Sequence, residues 1–145
     1  MIVRFHGTRG SMPAPGRDRV RYGGNTPCVE VICDQRRLIV DSGTGIRTVG
    51  ESLPHGKPLH LDMIMTHYHW DHVQGFPFFW PVYDRRNSLR IHGLATSDVS
   101  PRDALSHHMS GPVFPVHIGM LPSKLYFNAV RPGQEIDLGE IRVFT

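Results

Sequence analysis

Residues 61–72 read Leu61-Asp62-Met63-Ile64-Met65-Thr66-His67-Tyr68-His69-Trp70-Asp71-His72. A short apolar run is followed at once by four side chains that bind metals well. The run reads as a buried strand over 61–66, and ligands at a strand tip sit on a stiff element while facing a cleft. Two histidines at i and i+2 reach one ion from an extended or turning backbone. Asp71 and His72 then turn away and reach a second ion. Neutral imidazole suits zinc and other transition metals, and carboxylate adds a harder oxygen donor. Two ions ~3.5–4 Å apart clamp the attacking and leaving oxygens of a displacement. The expected cofactor is therefore two divalent ions, zinc first, with manganese and iron suited to the same donors. A surface loop rich in histidine also gives an isolated H-x-H. It does not give T-H-x-H-x-D-H directly after an apolar strand.

Upstream, residues 2–6 read as a strand that enters the loop GTRGSMPAPGRDRVRYGGN, residues 7–25. Loops this long are functional or disordered more often than idle. Residues 26–33 and 37–40 predict an antiparallel hairpin. After the DSGTG turn at 41–45, Ile46, Val49 and Leu53 share a helical face, and Pro54 stops the helix. Downstream, 73–80 is apolar and aromatic and reads as a helical turn or packed loop. Residues 89–92 form a strand. Ser100-Pro101-Arg102-Asp103 starts a helix that ends near Gly111. Strands follow at 124–127 and 141–144, with 134–139 as the turn between them. Strands alternate with helices, which predicts an α/β layered domain, and no linker divides residues 1–145.

The chain has 145 residues, 39% of them hydrophobic and 20% charged, which is enough for one packed domain. Its net charge of +3 includes Arg9, Arg17, Arg19 and Arg21 in the first loop. That bias favours a phosphate-bearing substrate, although a solvated basic surface has the same composition. Ten histidines spread from His6 to His117. Cys28 and Cys33, five apart on a strand, face opposite sides, so no disulfide is expected. No run has signal-peptide length or the ~20 apolar residues of a membrane span. A cytoplasmic protein without membrane contact is the expectation.

The T-H-x-H-x-D-H segment resembles the signature of the metallo-β-lactamase-fold hydrolases. GTRGSMPAPG, YGGNTPCVEV, DSGTGIR, THYHWDHVQGFPFF and SGPVFPV are similar to a branch close to ribonuclease Z and the phosphonate-pathway cyclic phosphodiesterases. The resemblance implies an αβ/βα sandwich, of which this chain supplies the first αβ half: a mixed sheet with helices on one face. It implies His67 and His69 on one metal and Asp71 and His72 on the other, with Asp71 also touching a catalytic water that bridges the ions as hydroxide. Asp41 matches an aspartate that orients a ligand imidazole by hydrogen bond. The alternative for Asp41 is a helix N-cap. The family supplies three further ligands from a second half, and in this branch they lie beyond a segment resembling EIRVFT. Residues 1–145 therefore read as the N-terminal half of the domain, with an apolar sheet face left for a complementing half or a second copy.

The expected activity is phosphodiester hydrolysis, on RNA or a cyclic nucleotide, with lactone or thioester hydrolysis as the alternative on the same metals. Two rival classes are a non-catalytic fragment or subunit that needs a complementing chain, and a nucleic-acid-binding module built on the arginine loop. Tyr68 and Trp70 are candidate walls of the substrate cleft, and Arg9, with His6, a candidate phosphate contact. Phe76, Phe78, Phe79, Trp80 and Tyr83 read as core packing or as stacking surfaces. Among the other histidines, His108 reads as the edge of the core, His107 shares its helix, His117 reads as an exposed loop residue, and His92 lies on a strand. None is expected to be a ligand.

Overall fold

A computed structural model describes all 145 residues, Met1–Thr145. Six strands form one mixed sheet in sequence order: β1 (Ile2–Gly7), β2 (Cys28–Cys33), β3 (Arg36–Val40), β4 (His60–Met65), β5 (Ser88–Leu94) and β6 (Lys124–Val130). The first three pair antiparallel, as the short turn at Asp34 requires, and β3 to β6 run parallel. Parallel neighbours need crossover connections. These carry α1 (Ile46–Ser52), α2 (Trp70–Val73) and α3 (Pro101–His108).

Side-chain alternation then divides the sheet into two faces. On the helical face Ile39, Met63, Leu89 and Ile91 meet Ile46 and Val49 of α1, Leu105 of α3, and Phe76 and Phe79 from the turns after α2 in one buried cluster. Phe76 and Phe79 are thus core residues. The expected helix start at Ser100 forms as a capping box. Ser100 Oγ accepts from the Asp103 N–H at 3.2 Å, and the Asp103 carboxylate accepts from the Ser100 N–H at 3.1 Å. The helix ends at His108, ahead of Gly111.

Residues 135–137 correct the expected turn. They form β7 (Glu135–Asp137), which pairs with β8 (Arg142–Phe144). The turn is confined to the residues between these strands, where Gly139 takes φ +89°. This hairpin lays Ile136 and Leu138 on Leu38, Ile64 and Val130 of the second sheet face. Apolar alternation in so short a stretch is easily hidden by Gln134 and Gly139. The hairpin covers only part of that face: Val3 and Phe5 of β1, which share it by register, and Leu94 and Tyr126 remain exposed.

Two polar clusters are built into the sheet. Glu30, fully buried on the helical face, accepts from Arg37 at 2.5 Å and meets His6 Nε2 at 3.2 Å. His6 Nδ1 lies 2.8 Å from Thr48 Oγ1 on α1, so His6 ties β1 to the core and does not face a substrate. On the other face Asp62 accepts two hydrogen bonds from Arg90, at 2.6 and 2.8 Å. Burial works against the Asp62 charge. His92, 3.9 Å away, and Arg90 outweigh it and hold the carboxyl below its ordinary range. Both free cysteines lie on β2, Cys28 buried, Cys33 half-buried.

Phe76→Ala should cost about 3–5 kcal/mol of unfolding free energy by urea titration, because it empties a fully enclosed site. A depressed carboxyl stabilises the fold above its unfolded pKa of about 3.9, and the stabilisation is lost as pH falls through the folded value. The native chain should therefore lose stability below about pH 4 more steeply than Asp62→Asn, as compared by denaturation at successive pH values. Parallel curves would show that the Arg90 pair contributes nothing.

Candidate metal centre

The parallel pair β3–β4 ends in two loops that interlock. Asp41 continues the ladder, its N–H donating to Ile64 at 2.8 Å. It then adopts φ +62°, a left-handed conformation that Asp tolerates better than most residues. That bend buries its carboxylate under the next loop. Thr66 donates to it from its backbone N–H at 2.8 Å and from Oγ1 at 2.9 Å, and His72 Nδ1 lies 2.9 Å away. Asp41 caps no helix: the residue before α1 is Gly45, and no side chain caps it.

His72 Nδ1–H donates to Asp41, which leaves Nε2 as an acceptor. Thr66 has one hydroxyl hydrogen and gives it to Asp41, so the 3.0 Å contact between Thr66 Oγ1 and His67 Nδ1 is a donation by the imidazole. His67 Nε2 is then also a free acceptor. Sequence reading assigned no role to Thr66. Its signal was its place between the strand and the first histidine.

His67, His69 and His72 come together. The His67 ring centroid is 3.9 Å from that of His72 and 4.6 Å from that of His69. His69 stands just before α2, and the His72 N–H donates to its carbonyl at 2.9 Å. Asp71, on the first turn of α2, places Oδ2 3.6 Å from His72 Nε2. Burial lowers the His67 pKa, and the neighbouring His72 and His69 lower it further. Burial opposes the charge of Asp71. A hydrogen bond from the Ser11 N–H at 2.9 Å and the neighbouring imidazoles outweigh it, and the carboxyl lies below its ordinary range. No three His, Cys, Asp or Glu side chains close on one point as a self-sufficient metal site.

Two glycines permit the interlock. A Cβ on Gly43 would stand 2.4 Å from the Asp71 carbonyl, and one on Gly75 would stand 2.1 Å from that of Gly43. The DSGTG turn and the start of α2 therefore touch backbone to backbone. Ser42 N–H donates to His72, and Gly75 N–H donates to Ser42.

The remaining candidates lie around this centre. Tyr68 donates its hydroxyl to the Leu94 carbonyl at 2.7 Å, and burial pushes its pKa up to about 12. That anchors the loop to β5. Trp70 is exposed. Arg9 lines a separate basic hollow with Arg19 and Arg21. The Ser11 N–H on Asp71 was not legible in the sequence, because it depends on the path of a long loop.

No family model matches the chain. Over 122 residues it is 30% identical to ribonuclease Z of Haloarcula marismortui, an alignment covering 81% of this chain and 36% of the relative. The crystal structure of a diphosphatase from the PhnP family superposes with TM-score 0.64 at 16% identity, over 94% of this chain and 53% of that one. The metallo-β-lactamase fold protein YhfI from Bacillus subtilis gives TM-score 0.60 at 20% identity, over 94% and 48%. The chain thus spans about a third of that ribonuclease Z and about half of each structure. It carries the metallo-β-lactamase fold over part of that fold's length, with ribonuclease Z among its sequence relatives.

Proposed function

We propose that the chain supplies the first half of the metal centre of a hydrolase that cleaves phosphodiester bonds. The reading is carried by three imidazoles and a carboxylate set side by side at one strand tip, with two of the rings tied back through Nδ1 to a single buried aspartate, one directly and one through Thr66. This donor set fits divalent cations: imidazole nitrogens beside the Asp71 carboxylate suit zinc, manganese or iron. His67 and His69 would hold one ion, and Asp71 and His72 the other. Two protein ligands per ion fall short of the three usual at a catalytic zinc site. The remaining donors then come from outside these 145 residues, in a continuation of the chain, a complementing half or a second copy.

Bound there, the ions supply Lewis acidity toward a phosphoryl oxygen and toward water. The chain's own residues do the positioning. Asp41 fixes the tautomer and direction of His72, and through Thr66 those of His67. Asp71, kept ionised, accepts a hydrogen bond from the attacking water and orients it toward phosphorus. Arg9, Arg19 and Arg21 attract a polyanionic substrate. A phosphodiester is favoured by the ribonuclease Z relative, so RNA and cyclic nucleotides are the first substrates to try. No helix is long and apolar enough to cross a membrane.

Calorimetric zinc titration should show uptake by the chain that His67→Ala/His72→Ala abolishes. Asp41→Asn should weaken it by about 10–100-fold with unchanged far-UV circular dichroism. Equal uptake by the double variant would refute the assigned donors. With the ligand set completed, in one chain or by a complementing one, bis-p-nitrophenyl phosphate, a cyclic nucleotide or precursor tRNA should be cleaved, and chelation should stop the reaction. Turnover of a lactone or thioester with none of any phosphodiester would replace this substrate class with the other.

A further inference from the structure

The net charge of the chain sits in one loop. Residues 7–25, which join β1 to β2, carry Arg9, Arg17, Arg19 and Arg21 against Asp18 alone, a surplus of +3. The whole chain has 16 lysines and arginines and 13 aspartates and glutamates, so outside this loop the two signs balance at twelve each. Balanced charges cancel at a distance, whereas a one-signed cluster concentrates a polyanion at one place.

This loop is folded, and it stands beside the metal centre. The Asn25 carbonyl accepts from the N–H groups of Thr8 and Arg9 at 3.1 and 3.0 Å, and the Gly24 carbonyl accepts from Ala14 at 2.9 Å, so the two arms are pinned together. β1 runs in the same direction as β4, and the loop therefore leaves the sheet at the end where the histidines stand. The Ser11 N–H donates to Asp71 at 2.9 Å. Arg9 is two residues from Ser11, no more than about 7 Å along the backbone. Arg9, Arg19, Arg21 and Tyr22 line a hollow of about 250 Å³. Pockets that enclose a whole small ligand begin near ~300 Å³, so this hollow fits one group of a longer molecule. Asp18 engages Arg19 at 2.8 Å and leaves Arg9 and Arg21 without a carboxylate partner. Arg21 lies 5.1 Å from the centroid of the Tyr22 ring, and Tyr22 is 72% exposed. Guanidinium groups beside a bare aromatic face suit a phosphate and the base next to it.

We infer that this loop is the docking surface for a single polynucleotide strand that runs past the metal centre: Arg9 and Arg21 hold backbone phosphates flanking the bond to be cut, and an unstacked base lies on Tyr22. A duplex keeps its bases stacked on one another and offers Tyr22 none. The inference rests on the phosphodiester reading for its substrate, and it chooses between the two substrates named there. A cyclic mononucleotide has one phosphate, which the metal centre takes, and leaves nothing for the loop. Strand binding itself needs no metal.

Fluorescence anisotropy of a labelled RNA strand of about ten nucleotides, titrated with the 145-residue chain in EDTA, tests this. The strand should bind at least about ten-fold tighter than a cyclic mononucleotide used as competitor, and two phosphate contacts should give a slope near −1.4 (roughly) in log K against log salt. Arg9→Gln/Arg21→Gln should remove most of that slope and weaken binding about ten-fold at low salt. Asp18→Asn, which releases Arg19, should tighten it. Tyr22→Leu should weaken it about ten-fold, and Tyr22→Phe should recover most of the loss. Arg85→Gln, ahead of β5 at the opposite end of the sheet, should leave it unchanged. Absence of strand binding, a cyclic mononucleotide competing as well as the strand itself, or binding indifferent to the Arg9/Arg21 pair or to Tyr22→Leu would each overturn the docking surface. So would preferential uptake by phosphatidylserine–phosphatidylcholine vesicles, which would give the loop to a membrane surface. Failure of strand binding with intact zinc uptake sinks this surface alone, and failure of zinc uptake with intact strand binding sinks the metal reading alone.

Discussion

The buried carboxylate of Asp41 is the constraint on which the functional end of this molecule depends. It accepts from the Thr66 backbone, the Thr66 hydroxyl and His72 Nδ1. An ionised group enclosed to this degree is costly unless several donors surround it. The loop that follows β4 supplies those donors, and supplying them directs its histidines. Orientation of the imidazoles is therefore a by-product of satisfying one buried charge. The left-handed φ of Asp41, which costs roughly 1 kcal/mol for a residue with a Cβ, is held by the same contacts.

That arrangement needs rigid support, and the core beneath it provides this. Phe76 and Phe79 are fully enclosed just beyond α2, and Ile46 and Val49 of α1 pack in the same cluster. The two turns meet at Gly43 and Gly75, where any side chain would push the loops apart. Ladder, glycine contact and aromatic core thus set the position of α2. Because α2 has a single turn, small shifts in its start move Trp70, Asp71 and His72 together.

How much of this was legible in the sequence follows the range of each interaction. The buried strand before the histidines, the helix after DSGTG, the capping box at Ser100 and the opposed cysteines rest on patterns within a few residues, and the sequence carries them. Asp41 left two readings open because N-cap and imidazole partner leave the same local trace; the contact that decides, with His72, spans 31 positions. The strand at 142–144 was legible, but its partner β7 was read as part of a turn because a three-residue strand between Gln134 and Gly139 has too little alternation to register. Ser11 on Asp71, and the ties of His6 to Glu30 and Thr48, depend on how distant segments fold over one another.

The distribution of the ten histidines bears on the candidate metal centre. His6 is held by Thr48 and Glu30, His55 stacks on Trp80, and His60 pairs with Ser88. His92 is buried on the sheet beside Asp62, and His117 accepts from the Gly119 N–H. His107 lies on the exposed side of α3, and His108 is half-buried at its last turn. Only His67, His69 and His72 reach the centre. A sequence rich in imidazole has thus placed most of its rings away from the strand tip. The exposed part of the second sheet face, with Phe5 and Tyr126 bare, is the surface on which a further layer can pack. Under the proposed function, a layer that buried that apolar area and also delivered further donors would link metal affinity to its own docking.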